Sequence, residues 1–404
     1  MRRAIVIVLD SLGVGAAADA DAYGDGGADT FGHIVEACAA GRADSDRRAG
    51  LLGVPELTAL GLIDAAQGAR GAALPVAQPT RLTGRFGYAA ERSRGKDTPS
   101  GHWEMMGLPV EYDWGYFPDT QPCFPRKLTD ALIRRGGIGG ILGDRHASGT
   151  QIIAELGEEH LRTLYPIVYT SGDSVLQIAA HEQRFGLDRL YALCQVAREL
   201  VDEYRIARVI ARPFVGEHSG SFTRTGNRRD LATPPHGPTL LDMLKDAGGE
   251  VICVGKVADI FAHRGVTRTI KAHGNRAVME RLLEAMSAAP DRSLLFANCV
   301  DFDTSFGHRR DVSGYANALE EFDACIPPLR AAMKPGDVAI ITADHGCDPT
   351  FPGSDHTREY IPVLAFGDSI TAGPIGRRSG FADIGQSLAG HLGLRALAHG
   401  ISFL

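Results

Sequence analysis

The chain has 404 residues, 44% of them hydrophobic, and carries 42 basic against 49 acidic side chains for a formal charge of −7. That length exceeds the usual single core and predicts two domains. The acidic balance, with no long basic run, leaves no electrostatic footprint for a nucleic-acid partner. Seven cysteines, an odd number with no Cys-x-x-Cys spacing, argue against a disulfide framework or zinc ribbon and for a reducing cytoplasm.

In chain order, the β-rich run from Ala4 to Leu9 reads as a first core strand that stops at Asp10. It is too short for a signal h-region or a membrane span despite Arg2 and Arg3, so no membrane partner is expected. The following SLGVG offers glycines for a tight turn beside a bound ion. A charged, low-complexity stretch, GRADSDRRAG, starts at Gly41. In KDTPSGHWEMMG, Thr98 followed by Pro99 reads as an N-cap and first helical position, where free N–H groups and the helix dipole favour an anion.

From residue 116 to 232 the text turns rich in charge, Pro and Gly, with strand candidates of its own at Pro166–Tyr169 and Arg205–Ala211. This reads as a second domain inserted into a core formed by residues 1–115 and 233–404. The stretches WGYFPDTQPCFP and FTRTGNRRDLATPPHGP read as entry and exit linkers. RRGGIGGILG from Arg134 fits neither G-x-G-x-x-G nor a Walker loop and reads as a turn. Beyond it, β-rich runs at Val251, Leu294, Val338 and Pro362 alternate with helical text, which predicts an α/β fold with a mostly parallel sheet sandwiched by helices.

Ligands in such sheets gather past the carboxyl ends of strands, and three strand ends here carry metal-binding residue types. Asp10 follows the first strand. DFDTSFGH follows the strand from Leu294 and offers Asp303 and His308, with Asp301 equally suited to capping the strand end. TADHGCDPTFPGSDH follows the strand from Val338 and offers Asp344, His345 and His356. Carboxylate oxygen beside imidazole nitrogen suits Mn²⁺, Zn²⁺ or Fe²⁺ better than Ca²⁺ or Mg²⁺.

Taken together, VLDSLGVG, GKDTPSGHWEMMGL, VDFDTSFGHRRD and TADHG with SDHTREYIP resemble the motifs of the phosphopentomutase family, two-metal members of the alkaline phosphatase superfamily, over residues 1 to about 400. The resemblance implies an alkaline-phosphatase-like core with a smaller inserted α/β cap domain. It implies that Asp10, Asp344 and His345 bind one Mn²⁺, that Asp303, His308 and His356 bind another, and that Thr98 carries phosphate. TSGDSVLQIAAHE resembles the family's cap segment and implies that Ser171 and Asp173 contact the sugar. Arg208, Ile210, Arg224 and Lys256 would hold the pentose and its distal phosphate. The implied reaction interconverts (deoxy)ribose 1-phosphate and (deoxy)ribose 5-phosphate through a 1,5-bisphosphate. A sugar bisphosphate such as glucose 1,6-bisphosphate would prime it, and small sugar phosphates would be the partners. A phosphatase or phosphodiesterase of the same superfamily is the alternative. So is a related mutase using a serine, because Ser100 lies two residues from Thr98, and a metal-stabilised sugar-binding protein is a third. The stretch from Gly41 and the loop around His218 depart from the family pattern.

Overall fold

The computed structural model describes residues 2–76, 81–171 and 174–404 and divides into two compact units, residues 1–112 with 235–404 and residues 113–234. The larger unit is built on an eight-stranded sheet in the order Arg268–Ile270, Glu250–Val254, Ser293–Cys299, Ala4–Leu9, Val338–Thr342, Ile361–Phe366, Arg85–Ala89, Gly373–Arg378. The first five strands are parallel, and only the two ladders made by Ile361–Phe366 are antiparallel. Ala4–Leu9 is fully buried between Ser293–Cys299 and Val338–Thr342, which are buried throughout as well. Such all-apolar runs belong to strands covered on both faces by helices. The register sets Leu9 beside Cys299 and Val8 beside Thr342. Three adjacent strands therefore end at one level, and their outgoing loops carry Asp10, Asp303 and Asp344.

A buried ion pair anchors this sheet at the start of its first strand. Arg3 donates from Nε to Asp337 Oδ1 at 3.0 Å and from Nη2 to Asp337 Oδ2 at 2.5 Å, with both side chains fully buried. The charged stretch after Gly41 is organised by Arg48, which is 6% exposed and donates to the carbonyls of Ala43, Gly50 and Leu51 and to Glu320.

The smaller unit has its own mixed sheet, in which Val175–His181 and Arg208–Val215 run parallel at the centre. Helices Arg126–Gly136 and Leu187–Val201 pack on it over a core that includes Phe124, Leu128, Leu176, Ile178, Leu193 and Val209. The expected linkers belong to this body. Phe117, Cys123 and Phe124 enter its core, and the exit stretch forms the strands Thr223–Arg224 and Arg229–Ala232. The unit begins and ends slightly outside the expected 116–232 span, because Gly115 N donates to Arg205 O at 2.9 Å and Thr233 N to Ala207 O at 2.9 Å. RRGGIGGILG is the end of helix Arg126–Gly136 and the loop leading to the strand Leu142–His146.

Candidate two-metal centre

Past the end of the first strand the chain reverses through Ser11, whose φ of 74° is unusual for a residue with a side chain. The sharp turn expected of the glycines in SLGVG is thus begun by Ser11. Its reward is a hydrogen bond from Ser11 N to Asp344 Oδ1 at 3.1 Å, which ties the first metal-bearing loop to the third. Asp10 Oδ2 accepts from Asn298 Nδ2 at 2.8 Å, which leaves Oδ1 turned to the cluster.

Asp303 and His308 sit in a short π-helical turn, Phe302–Gly307, in which His308 N donates to Asp303 O at 3.0 Å. An i→i+5 turn stacks residues five apart, so the sequence spacing of this pair is converted into contact, with His308 Nε2 3.3 Å from Asp303 Oδ2. Asp301 caps a helix and not its own strand end: its Oδ2 accepts from Asn275 N at 2.8 Å, at the start of helix Asn275–Ala288.

The six expected ligands form two adjoining groups. Asp10, Asp344 and His345 bring one ligand atom each within 4.8 Å of one another, and Asp303 does the same with His345 and His356. His356 Nε2 lies 3.4 Å from Asp303 Oδ1 and 3.2 Å from His308 Nε2, which draws His308 into the second group. The rings of His345 and His356 stack with centroids 3.9 Å apart. Each imidazole presents Nε2 inward because Nδ1 donates to a backbone carbonyl: His308 to Ser354, His345 to Gly346 and His356 to Lys96.

These residues fit divalent metal. Asp10 Oδ1, Asp303 Oδ1 and Asp344 Oδ2 are buried with no hydrogen-bond partner and have only imidazole nitrogens 3.2–3.5 Å away, although buried carboxylate oxygens are ordinarily satisfied. Burial, together with the Asp344 and Asp303 charges, holds the Asp10 carboxyl well above its usual range. Burial also acts upward on Asp303, but His356, His345 and His308 outweigh it and leave that carboxyl lowered. His345 is lowered by burial, so it stays a neutral donor. Carboxylates crowded against imidazoles, with oxygens left over, are a donor set for cations of the Mn²⁺ or Zn²⁺ kind.

Thr98 stands at this centre, half-buried, with Oγ1 3.3 Å from His345 Nε2. It is the first residue of helix Thr98–Met105 and not its cap. Asp97 caps the helix, accepting from Ser100 N at 3.1 Å and from Ser100 Oγ at 2.9 Å. The Asp97 carboxylate outcompetes the Thr98 hydroxyl for the cap and so leaves that hydroxyl free to face the cluster. The helix approaches the metal loop closely at Gly101, where a Cβ would lie 2.1 Å from Asp344 O.

Several residues at the centre carried no sequence signal. His102 Nδ1 lies 3.0 Å from Thr98 O and 3.2 Å from Asp344 Oδ2, with its ring stacked on Phe296. Asn298 holds Asp10, and Glu359 joins Gly15, Thr30 and Thr357 beneath the His345 loop. Only the alternation GHWE and the lone Asn at a strand end could have pointed to the first two.

Of the expected substrate residues, Lys256 follows the strand Glu250–Val254, is exposed, and its charge acts on Asp10. In the smaller unit, Ser171 follows Ile167–Thr170, while Arg208 and Ile210 lie on one strand and Arg224 on another. Asp173 lies outside the described residues.

A family model described as the Metalloenzyme superfamily matches residues 2–396. A phosphopentomutase of Legionella pneumophila is 59% identical over 407 aligned positions, covering 100% of this chain and 99% of the relative. A phosphopentomutase of Rhizobium johnstonii is 57% identical, covering 100% of both. Among solved structures, the PH0037 protein of Pyrococcus horikoshii is 14% identical with a TM-score of 0.47, covering 97% of each chain.

Proposed function

Because the chain belongs to the phosphopentomutase family of the Metalloenzyme superfamily, we propose that it is an isomerase that interconverts ribose 1-phosphate and ribose 5-phosphate, and their 2-deoxy counterparts, with Thr98 as phosphate carrier. The observation that carries the assignment of Thr98 is its Oγ1 at 3.3 Å from His345 Nε2, among carboxylate oxygens that lack partners. Ser100 is a poor rival, since it is fully buried with its hydroxyl donating to Asp97.

Asp10, Asp344 and His345 would hold one Mn²⁺, and Asp303, His308 and His356 the other. Two divalent ions held there would supply charge neutralisation for a phosphoryl group and a lowered pKa for the Thr98 hydroxyl. Thr98 receives its first phosphoryl group from a sugar bisphosphate such as glucose 1,6-bisphosphate. The free hydroxyl of the sugar monophosphate attacks that phosphorus, the P–Oγ1 bond breaks, and the hydroxyl proton passes to Oγ1. The resulting 1,5-bisphosphate returns its other phosphoryl group to Thr98 by the reverse exchange, so atoms balance and the net change is isomerisation. His102 braces the start of the helix through the Thr98 carbonyl, which fixes Oγ1 for in-line approach.

In the inserted unit, Ser171 and Asp173 would bind the pentose, and Arg208, Ile210 and Arg224, with Lys256 of the core, its distal end. Arginine forks suit phosphate and a carboxylate suits sugar hydroxyls. The inserted unit would serve as a cap that keeps water from the phosphoryl group. Cysteine usage supports a cytoplasmic location. Among the described residues no helix is long and apolar enough to cross a membrane.

Mass spectrometry of active enzyme should find phosphate on Thr98, and Thr98→Ala should abolish turnover. Phosphate-free Thr98 in an active preparation would sink the carrier mechanism. Release of inorganic phosphate from ribose 5-phosphate faster than isomerisation would assign the phosphatase alternative.

A further inference from the structure

Cys347 follows His345 by two residues and belongs to neither expected ligand set. It is fully buried, and its backbone is fixed: Cys347 N donates to Thr30 Oγ1 at 3.1 Å, and the adjoining Gly346 bridges to Thr357. A buried free cysteine ordinarily behaves as a small hydrophobe. The surroundings of this one are polar. Its Sγ lies 3.6 Å from Asp355 O, 3.6 Å from Arg310 Nη1 and 3.9 Å from His308 Nδ1. A Cβ at Gly307 would stand 3.0 Å from that sulfur, so the glycine ending the π-helical turn lets the thiol close on the two ligands associated with the turn.

Asp303, His308 and Cys347 each bring a ligand atom within 4.8 Å of the others, and among the described residues no other cysteine belongs to such a group. Asp303 is 5% exposed and its Oδ1 has no hydrogen-bond partner, so the group contains a buried carboxylate with coordinating capacity left over. Bonds of about 2.3 Å to sulfur and about 2.0 Å to nitrogen or oxygen put the ligand atoms of one shell roughly 3.5 Å apart. Shifts on the order of 1 Å therefore close this group around an ion. A mixed set of carboxylate, imidazole and thiolate gains little from Mn²⁺, whereas softer ions select the sulfur.

We propose that Asp303, His308 and Cys347 form a site for a thiophilic divalent cation of the Zn²⁺ or Cd²⁺ class, which shares two ligands with the second Mn²⁺ half-site and so excludes Mn²⁺ from it. This rests on the metal reading of that half-site, not on the identity of the sugar phosphate. As the sulfur–metal bond forms, the thiol proton leaves to solvent, and the bond replaces the long contact to Asp355 O. Cys347 thereby decides which ions the centre tolerates. Toward Mn²⁺ it is a bystander, and toward softer ions it is a trap that inactivates the enzyme by withdrawing Asp303 and His308.

The test uses the full-length chain freed of metal by a chelator, with Cd²⁺ as the probe. Wild type and Cys325→Ser, which removes the half-buried thiol, should both develop a thiolate-to-metal charge-transfer absorption at one Cd²⁺ per chain. Cys347→Ser and Cys347→Ala should not, while still binding Mn²⁺ within about twofold of wild type. Excess Mn²⁺ should shift the wild-type Cd²⁺ titration to more than tenfold higher concentration, because both ions need Asp303 and His308. In the isomerisation assay with Mn²⁺, the Cd²⁺ concentration for half-inhibition should rise more than tenfold in Cys347→Ser. Absorption that survives loss of Cys347, or a Cd²⁺ shell without sulfur by X-ray absorption of the wild type, overturns the site. A wild-type titration indifferent to Mn²⁺ overturns the sharing of ligands and with it the proposal. The absorption is read without sugar phosphate, so a chain that fails to isomerise ribose 1-phosphate would defeat the mutase reading and leave the thiolate site standing.

Discussion

His356 Nδ1 donates to the carbonyl oxygen of Lys96 across 3.0 Å, so an imidazole of the metal centre is seated by the backbone of the loop that delivers Thr98 two residues later. The same lysine pairs through Nζ with Asp25 at 2.9 Å and with Asp355, the neighbour of His356, at 3.4 Å. The His356 loop and the Thr98 loop are tied together by these contacts. Anything that displaces His356 is felt at Thr98.

The charge state of His356 makes metal binding depend on pH. Burial alone lowers its pKa, but the Asp303 carboxylate 3.4 Å away, with Asp355 and Asp344, pushes it up to about 9 in the metal-free protein. A metal needs the neutral imidazole, so Mn²⁺ must expel this proton at neutral pH. Affinity at the second half-site should rise about tenfold per pH unit up to that pKa, with about one proton released per ion. The sign for folding is opposite. A raised histidine stabilises the metal-free fold fully below its ordinary 6.5, and that contribution is lost as pH rises through about 9. Calorimetric Mn²⁺ titrations in buffers of different ionisation enthalpy read the proton count directly, and a pH-independent affinity would remove His356 from the ligand set.

Asn298 touches no metal position itself, yet its Nδ2 fixes Asp10 Oδ2 at 2.8 Å and so aims Oδ1 at the cluster. Asn298→Ala should weaken Mn²⁺ binding by about 10- to 100-fold, the usual cost of losing such a support. Metal content after dialysis against graded chelator is the measurement. Retention equal to wild type would mean that Asp10 is oriented by its strand alone.

Much of this architecture was legible in the sequence because the core strands are apolar throughout and are followed within a few residues by acidic ones. Strand ends made Asp10, Asp303 and Asp344 candidates, the family resemblance made them a ligand set, and the five-residue gap from Asp303 to His308 corresponds to one turn of the i→i+5 segment that joins them. Local competition was harder to read. Asp97 rather than Thr98 caps the helix because a carboxylate is the stronger acceptor, and Ser11 joins Gly15 at positive φ, its conformation supported by the hydrogen bond to Asp344. The strands Arg85–Ala89 and Gly373–Arg378 went unread, since a sheet margin with Arg, Gly and a bulge has no apolar run to announce it. His102 and Asn298 were invisible because their partners are remote in sequence: Asp344 and Asp10.

At the start of the first strand, the Arg3 and Asp337 pair should be a point of high sensitivity. Arg3 Nη1 also donates to Met286 O at 2.5 Å, so its charge is fully enclosed by acceptors. Removing the carboxylate in Asp337→Ala leaves a buried guanidinium without its counter-charge, at a cost of about 3–5 kcal/mol. Denaturant unfolding of the metal-loaded protein should show that loss, and Arg3→Met with Asp337→Leu should recover part of it. A single variant as stable as wild type would indicate that solvent reaches the pair.

Arg358 offers the sharpest separation of placement from metal binding. Two residues beyond His356 and 2% exposed, it donates through Nη1 to Glu91 Oε2, Ser93 O and Gly95 O at 2.7–2.8 Å, and through Nη2 to Asp19 Oδ2 at 2.9 Å and Glu91 O at 2.8 Å. Every one of the backbone acceptors lies in the segment leading to Thr98. Burial holds the Glu91 carboxyl well above its usual range, and the Arg358 charge pulls it back, so an alanine here would strand an acid as well as free the loop. Arg358→Lys keeps the charge but cannot reproduce the fork. It should leave Mn²⁺ content close to wild type while lowering kcat by about 10- to 100-fold, because a displacement on the order of 1 Å at the carrier costs that much in an in-line transfer. KM for the sugar phosphate should change little, since the arginines proposed to anchor it are elsewhere. If kcat survived while metal was lost, Arg358 would belong to the support of His356 and not to that of Thr98.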